Sequence, residues 1–388
     1  LEQMSNAAAP PLAKGTPWLD EAVRGCELNY DDKNGGFGQA PKFPQPLVLR
    51  YLLLRAIDTK DTELFELIDH TAQSMGRGGL YDQLGGGFHR YCVDAGWDIP
   101  HFEKMLYDNA QLCSFYAELY AHTKTPFYKW IVDSLVLWLE RDMTLENGAF
   151  CSSTDAESEQ VEGRAFVWTP GQLAEVLDEN ERQMFSLFYN VTPQGNFLEG
   201  SSVLTQRRPI SRCAKELGWD FELAVRVLES ARDKAFDARE EREQPGRDDK
   251  VIAAWNGQMV SALCRAARLT ATPDARELAI KAGEFLLNQF AQAAEDGTYP
   301  RLWAEGKTYG QALAEDLGAL ALAFLDLYEL TLEDTWFEAA VTLHGALKAQ
   351  YWDSERKLTA QTGPKTDDIL FRPFPFEDNP TPAGNSFM

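Results

Sequence analysis

Three stretches of this chain turn on glycine and close on phenylalanine: Gly35-Gly36-Phe37, Gly86-Gly87-Phe88 and Gly148-Ala149-Phe150. Gly297-Thr298-Tyr299-Pro300 is a fourth of related make. Each follows a helix-like stretch. Glycine opens the backbone angles that a tight turn needs, and the ring then anchors the turn against packed helices. Such recurrence constrains the chain to repeated helical hairpins with decorated turns, an arrangement that can surround a central cavity.

Hydrophobic spacing supports the hairpins. Apolar residues at helical period mark Trp18 to Leu28, a helix opening near Pro46, another around Leu64 to Met75, Phe102 to Ala121 and Phe127 to Glu140. The pattern resumes at Phe221 to Arg242, Trp255 to Leu269, Pro273 to Gln289, Gln311 to Leu330 and Trp336 to Trp352, with almost no convincing strand. Between Glu146 and Pro209 it weakens. There Ala165 to Trp168 reads as a short strand and Thr169-Pro170 as the cap and first turn of short helices near 171–178 and 180–188. The expected fold is therefore all-α, an α/α toroid over residues 17–388 with a small strand-containing rim insertion at about 146–210, and a helical solenoid is its rival. Residues 1–16 read as a disordered lead or linker. Fewer helices are counted than a closed ring of six hairpins needs, so either the ring is incomplete or residues beyond 388 belong to it.

Composition excludes some partners. A formal charge of −23 over 388 residues disfavours a nucleic-acid backbone, and no apolar run is long enough to span a bilayer. No signal peptide is visible, which leaves the cytoplasm as the default location. The six cysteines form no Cys-x-x-Cys pair and the five histidines no close ligand pair, so neither a metal nor another cofactor is expected.

The strongest candidate site is the run from Gly85 to Asp108. Phe88, Tyr91 and Trp97 offer flat faces for a pyranose ring, while His89, Arg90, Asp98, His101, Tyr107 and Asp108 offer polar groups for hydroxyls. Glu103, read as lying near a helix N-terminus, is placed as a base or sugar-binding carboxylate. A cap and salt-bridge cluster is the bland alternative. A second cluster gathers Asp155, Glu157, Glu159 and Glu162 ahead of Phe166 and Trp168; as an acidic run it is more often solvated surface, and its spacing is not that of a calcium loop. Asp316, beside Glu315 on an apolar helical stripe, is a partner for Glu103 in two-carboxylate sugar chemistry or else a helix-packing group. Trp255 and Asn256 at a helix start, and Arg372 in a proline-rich loop, are weaker ligand candidates.

As a set, these segments resemble a known family. Gly35 to Pro44, the stretch Gly79 to Asn109 with its His101-Phe102-Glu103-Lys104-Met105-Leu106-Tyr107-Asp108-Asn109 run, Asp155 to Glu159, Phe166 to Pro170, Trp255-Asn256-Gly257 and Pro380 to Ser386 look like the helical part of the thioredoxin-domain proteins that include spermatogenesis-associated protein 20 and its bacterial relatives. The resemblance implies a toroid similar to six-hairpin glycosidases and N-acylglucosamine 2-epimerases, preceded by a thioredoxin-like domain that this chain does not contain. It supplies no proven catalytic set. Three functions remain in view: a hydrolase-like carbohydrate-active enzyme using paired carboxylates, with Glu103 and Asp316 first and His101 and Asp155 as further candidates; a sugar epimerase or isomerase using His101; and a noncatalytic carbohydrate- or protein-binding toroid. The expected partner is a small saccharide.

Overall fold

Apolar stripes at helical spacing become helical hairpins. In the computed structural model, which describes residues 17–363 and 370–387, thirteen α-helices are present among the described residues. The expected lead at 1–16, residues 364–369 and Met388 lie outside the described residues. In chain order the helices are α1 (Pro17–Leu28), α2 (Pro46–Thr59), α3 (Thr62–Arg77), α4 (Leu106–Thr123), α5 (Pro126–Trp138), α6 (Pro170–Val176), α7 (Glu179–Tyr189), α8 (Ile210–Leu217), α9 (Phe221–Glu240), α10 (Ala253–Leu269), α11 (Ala275–Phe290), α12 (Ala314–Thr331) and α13 (Asp334–Tyr351). None is long and apolar enough to cross a membrane.

The hairpins α2–α3, α4–α5, α10–α11 and α12–α13 each pair an inner with an outer helix, and the inner helices pack in the order α2, α4, α10, α12. This is an α/α toroid. Its inner members are buried nearly all round: α4 buries every residue from Leu106 to Ala117, whereas outer α13 buries only one stripe from Trp336 to Tyr351. Small residues let the inner helices approach closely. A Cβ at Gly257 of α10 would lie 2.9 Å from the Ala319 carbonyl of α12. After Asp378, the segment ending in a 3-10 turn at Gly384–Phe387 continues this inner arc against α12.

Short strands, which periodicity missed, set the ends of the inner helices. They are β1 (Tyr91–Cys92), β2 (Pro100–His101), β3 (Lys104–Met105), β4 (Ser153–Thr154), β5 (Glu157–Ser158), β6 (Val161–Glu162), β7 (Arg247–Asp248), β8 (Val251–Ile252), β9 (Pro300–Ala304), β10 (Lys307–Gln311), β11 (Trp352–Asp353) and β12 (Leu358–Thr359). All pairings are antiparallel. β3 leads into α4 and joins β4 and β7, while β8 leads into α10 and joins β9 and β10, the strand before α12. Because β7 and β8 are neighbours in the chain, the N-termini of α4, α10 and α12 open at one end of the arc.

The stretch after Glu146 carries α6 to α8 and, with α9, a separate core around Trp168, Leu173, Phe185, Tyr189 and Leu228. The proposed strand at Ala165 to Trp168 reduces to one bridge between Trp168 and Ser202. α8, an eight-residue amphipathic run, was not anticipated.

A charged bolt fastens these helices to the ring. Asp82 accepts from Lys104 Nζ at 2.8 Å and from Arg239 Nη1 at 2.8 Å, and all three side chains are buried. Burial alone would raise the Asp82 pKa, but Arg239 and Lys104 hold it well below the carboxylate range.

Candidate functional site

The Gly-aromatic turns are held by asparagines on the inner helices. Asn109 Oδ1 accepts the Phe88 amide at 2.7 Å, and its Nδ2 donates to the carbonyls of Phe88 and Met105, both at 3.0 Å. Asn256 repeats this on Phe150 and Ile252. Asn256, read as a ligand group, is thus consumed by the fold. Phe88 is core as well, stacked on Tyr116 with centroids 5.4 Å apart.

Beyond the turn the chain runs as a strand pair, so Glu103 precedes α4 rather than lying on it; it sits between β2 and β3. The helix expected from Phe102 starts later, because Lys104 and Met105 pair with β4. Glu103 nonetheless gathers polar neighbours. Arg90 Nη1 lies 3.0 Å from its Oε2, and His101 Nε2 lies 3.3 Å from the same oxygen. His101 Nδ1 reaches Glu162 at 2.7 Å, which ties the ring to β6. Tyr91 stacks on His101 and Phe43 on Tyr91.

The first turn of α4 completes the cluster. Asp108 is buried, and its Oδ2 has no hydrogen-bond partner among the described residues. Burial raises its pKa to about 8; Arg90 works against that shift and Glu103 adds to it. Burial and then Asp108 push the neighbouring Tyr107 up to about 12, with its hydroxyl against Arg90. The edge of Trp255 meets the Tyr107 ring, with centroids 4.8 Å apart. Arg90, Glu103, His101, Tyr107, Asp108, Tyr91 and Trp255 are therefore brought together at the end where the inner helices open.

Other sequence candidates go elsewhere. Trp97 is wholly buried and donates from Nε1 to the carbonyls of Asn34 and Gly35, so it buttresses the first glycine turn instead of offering a stacking face. His89 is buried against Phe102 and Phe166; burial, with Lys104 nearby, lowers its pKa to about 3, leaving a neutral ring. Asp98 pairs with Arg207. Asp155 is exposed and caps the adjacent Ala156 amide, and Glu157 is exposed on β5 opposite Glu162. Trp168 is buried beneath Arg242. Arg372 spends its guanidinium on the carbonyls of Thr362 and Gln350.

Asp316 lies at the same end as Glu103 but has a different task. Its two oxygens accept the amides of Leu313 and Ala254, at 2.8 and 3.1 Å, joining the starts of α12 and α10. Burial raises its pKa to about 7, with Arg301 opposing. His344 is exposed on outer helix α13, not turned inward.

The expected wide hollow is narrow. Arg50, Gln111, Ser114, Gln258, Ser261 and Arg265 line an inner cavity of about 60 Å³, with Pro382 and Phe387 also in its wall. Arg50 and Arg265 fill the arc with ion pairs to Glu118. The larger opening, about 480 Å³, lies instead beside β5–β6 and α9, lined by Glu162, Arg164, Phe197 and Arg242 among others. Sequence reading missed Arg242 as a lining residue because it sits in a charge-rich loop that looks merely solvated.

No protein-family model matches the chain. It is 31% identical to spermatogenesis-associated protein 20 of Homo sapiens over 361 residues, 84% of this chain and 46% of that protein. The Rattus norvegicus protein of the same name is 29% identical, covering 91% of this chain and 48% of the relative. The chain thus spans about half the length of the curated relatives it matches. Among solved structures it is similar to a family 105 glycoside hydrolase of C. acetobutylicum (12% identity, 92% of this chain and 79% of that one, TM-score 0.49). It is also similar to the cellobiose 2-epimerase of Bacillus thermoamylovorans (13% identity, 88% and 89%, TM-score 0.38). The resemblance read from the His101 to Asn109 run is borne out: most of this chain is homologous to about half of spermatogenesis-associated protein 20.

Proposed function

We propose that this relative of spermatogenesis-associated protein 20 is a carbohydrate-active enzyme of hydrolase type, with Asp108 as proton donor and Glu103 as the ionised partner. One observation carries the reading: Asp108 is a buried carboxyl without a partner on Oδ2, beside a carboxylate held by arginine. With a pKa raised to about 8, it keeps its proton at neutral pH and can donate it to a leaving oxygen. Glu103, fixed by Arg90 and His101, is placed to activate water or to stabilise positive charge on a sugar ring. Half-buried Trp255, packed on the buried Tyr107 ring, supplies aromatic surface at the same place.

Asp316 moves out of the chemical pair in this proposal, since both its oxygens are occupied by backbone amides. The epimerase reading is less favoured. It needs a second base facing His101, and both His101 ring nitrogens already face carboxylates. A thioredoxin-like domain preceding this region, and a small saccharide as its ligand, remain parts of the proposal.

The test is a panel of aryl glycosides and disaccharides assayed with the wild type, Asp108→Asn and Glu103→Gln. Turnover that falls at least about a hundredfold in each variant is expected. Hydrolysis indifferent to both substitutions, or saccharide binding without turnover across the panel, overturns the proposal.

A further inference from the structure

The cleft of about 480 Å³ beside the β5–β6 hairpin is of a size that takes small molecules, and both arginine and glutamate line it. Arg242 forms part of its wall. The guanidinium lies over the Trp168 ring at 3.9 Å, and Nη1 donates to the carbonyls of Ala165 and Val167 at 3.0 and 2.9 Å. Among the described residues no carboxylate pairs with it. The side chain is thus fixed on three sides with its charge left uncompensated. Burial and then the neighbouring Arg239 push its pKa down to about 10, the response of a cation short of a counter-ion.

Behind Arg242 lies a buried, paired charge cluster. Lys104 and Arg239 share the buried carboxylate of Asp82, and Arg239 also lies 3.7 Å from exposed Glu240. Of these three cations Arg242 is the one that lines the cleft, and its charge is the one left without a carboxylate among the described residues. By contrast, Glu159, Glu199 and Glu243 are exposed around the mouth. Glu159 is paired with Arg164, and Glu162 with His101. Val161, Val167, Phe197 and Leu198 add apolar surface to the lining.

We propose that this cleft binds a small molecule carrying one carboxylate, which docks on Arg242 with an apolar body against Phe197 and Leu198. A planar guanidinium held in place recognises a carboxylate with little ordering cost. The acidic mouth selects against ligands with several negative charges, because each would pass the exposed glutamates. The assignment is separate from the chemistry proposed at Asp108 and needs no turnover to be measured.

Benzoate and benzamide, alike in shape and different in charge, are the probes, titrated against the whole chain by calorimetry and by chemical-shift changes of tryptophan indole resonances. Benzoate should bind at least ten times more tightly than benzamide and more tightly than inorganic phosphate. Arg242→Gln should abolish that preference. Because Arg242 also braces two carbonyls, the Glu199→Gln/Glu243→Gln pair provides a second arm and should tighten benzoate binding two- to fivefold. Equal binding of the two probes, no saturable benzoate binding, stronger binding of phosphate, a folded Arg242→Gln that retains the preference, or glutamine variants that do not tighten binding each overturn the assignment.

Discussion

Asn109 grips both backbone polar groups of Phe88, accepting its amide at 2.7 Å and donating to its carbonyl at 3.0 Å. The same two-way clamp joins Asn256 to Phe150 across 106 positions of sequence, and Asn385 to Thr359. An amide side chain is the neutral group that can both accept and donate in this geometry. The Asn109 and Asn256 clamps each turn a glycine loop into a fixed rim element above an inner helix, and the Phe88 clamp sets where Arg90 emerges.

Replacing Asn109 by Ala leaves the Phe88 amide and carbonyl buried and unpaired. The expected loss is about 2–4 kcal/mol of folding stability by urea denaturation, with a similar loss for Asn256→Ala. A change below about 0.5 kcal/mol would show that the clamp is incidental.

Stability should fall as pH rises through neutrality. Asp108 and Asp316 have folded pKa values of about 8 and about 7, both raised from 3.8. Their protonated forms stabilise the fold fully below about pH 4, and that contribution is lost as pH climbs through the folded values. Each group contributes a slope of up to about 1.4 kcal/mol per pH unit within its window. Asp82, held low, acts in the opposite sense and only in acid. Urea midpoints from pH 5 to 8.5 should decline in the wild type and decline less steeply in Asp108→Asn, levelling off above about pH 7 where the Asp316 contribution is spent; a level wild-type profile contradicts this account.

Asp82→Ala leaves Lys104 and Arg239 buried without their carboxylate, and should cost about 3–5 kcal/mol. Loss of this bolt should also expose α6 to α9 to limited proteolysis before the ring is cut. Asp98→Ala, which breaks the more exposed pair with Arg207, should cost no more than about 1 kcal/mol. Equal losses at the two sites would refute the distinction.

Gly257→Ala pushes a methyl to within 2.9 Å of the α12 backbone. Backbone cannot swing aside as a side-chain tip can, so a loss of about 1–3 kcal/mol is expected in thermal or urea melts. Gly345→Ala, on outer helix α13 with no atom within 4 Å of the added carbon, should be neutral or slightly stabilising.

The sequence alone determined the hairpins, the glycine turns and the short helices announced by Thr169-Pro170, because periodicity, capping and turn chemistry act within a few residues. It also marked the His101 to Asn109 run, which holds Glu103, Asp108 and the Asn109 clamp. Tertiary structure decided which of these groups face a site. Two-residue strands took Glu103 off the helix, α10 claimed Asp316 as a cap, Trp97 went beneath the first turn, and inner ion pairs narrowed the hollow. Local pattern cannot specify such outcomes: Asp82 meets Arg239 from 157 positions away, and the protonation of Asp108 depends on burial that only the assembled arc provides.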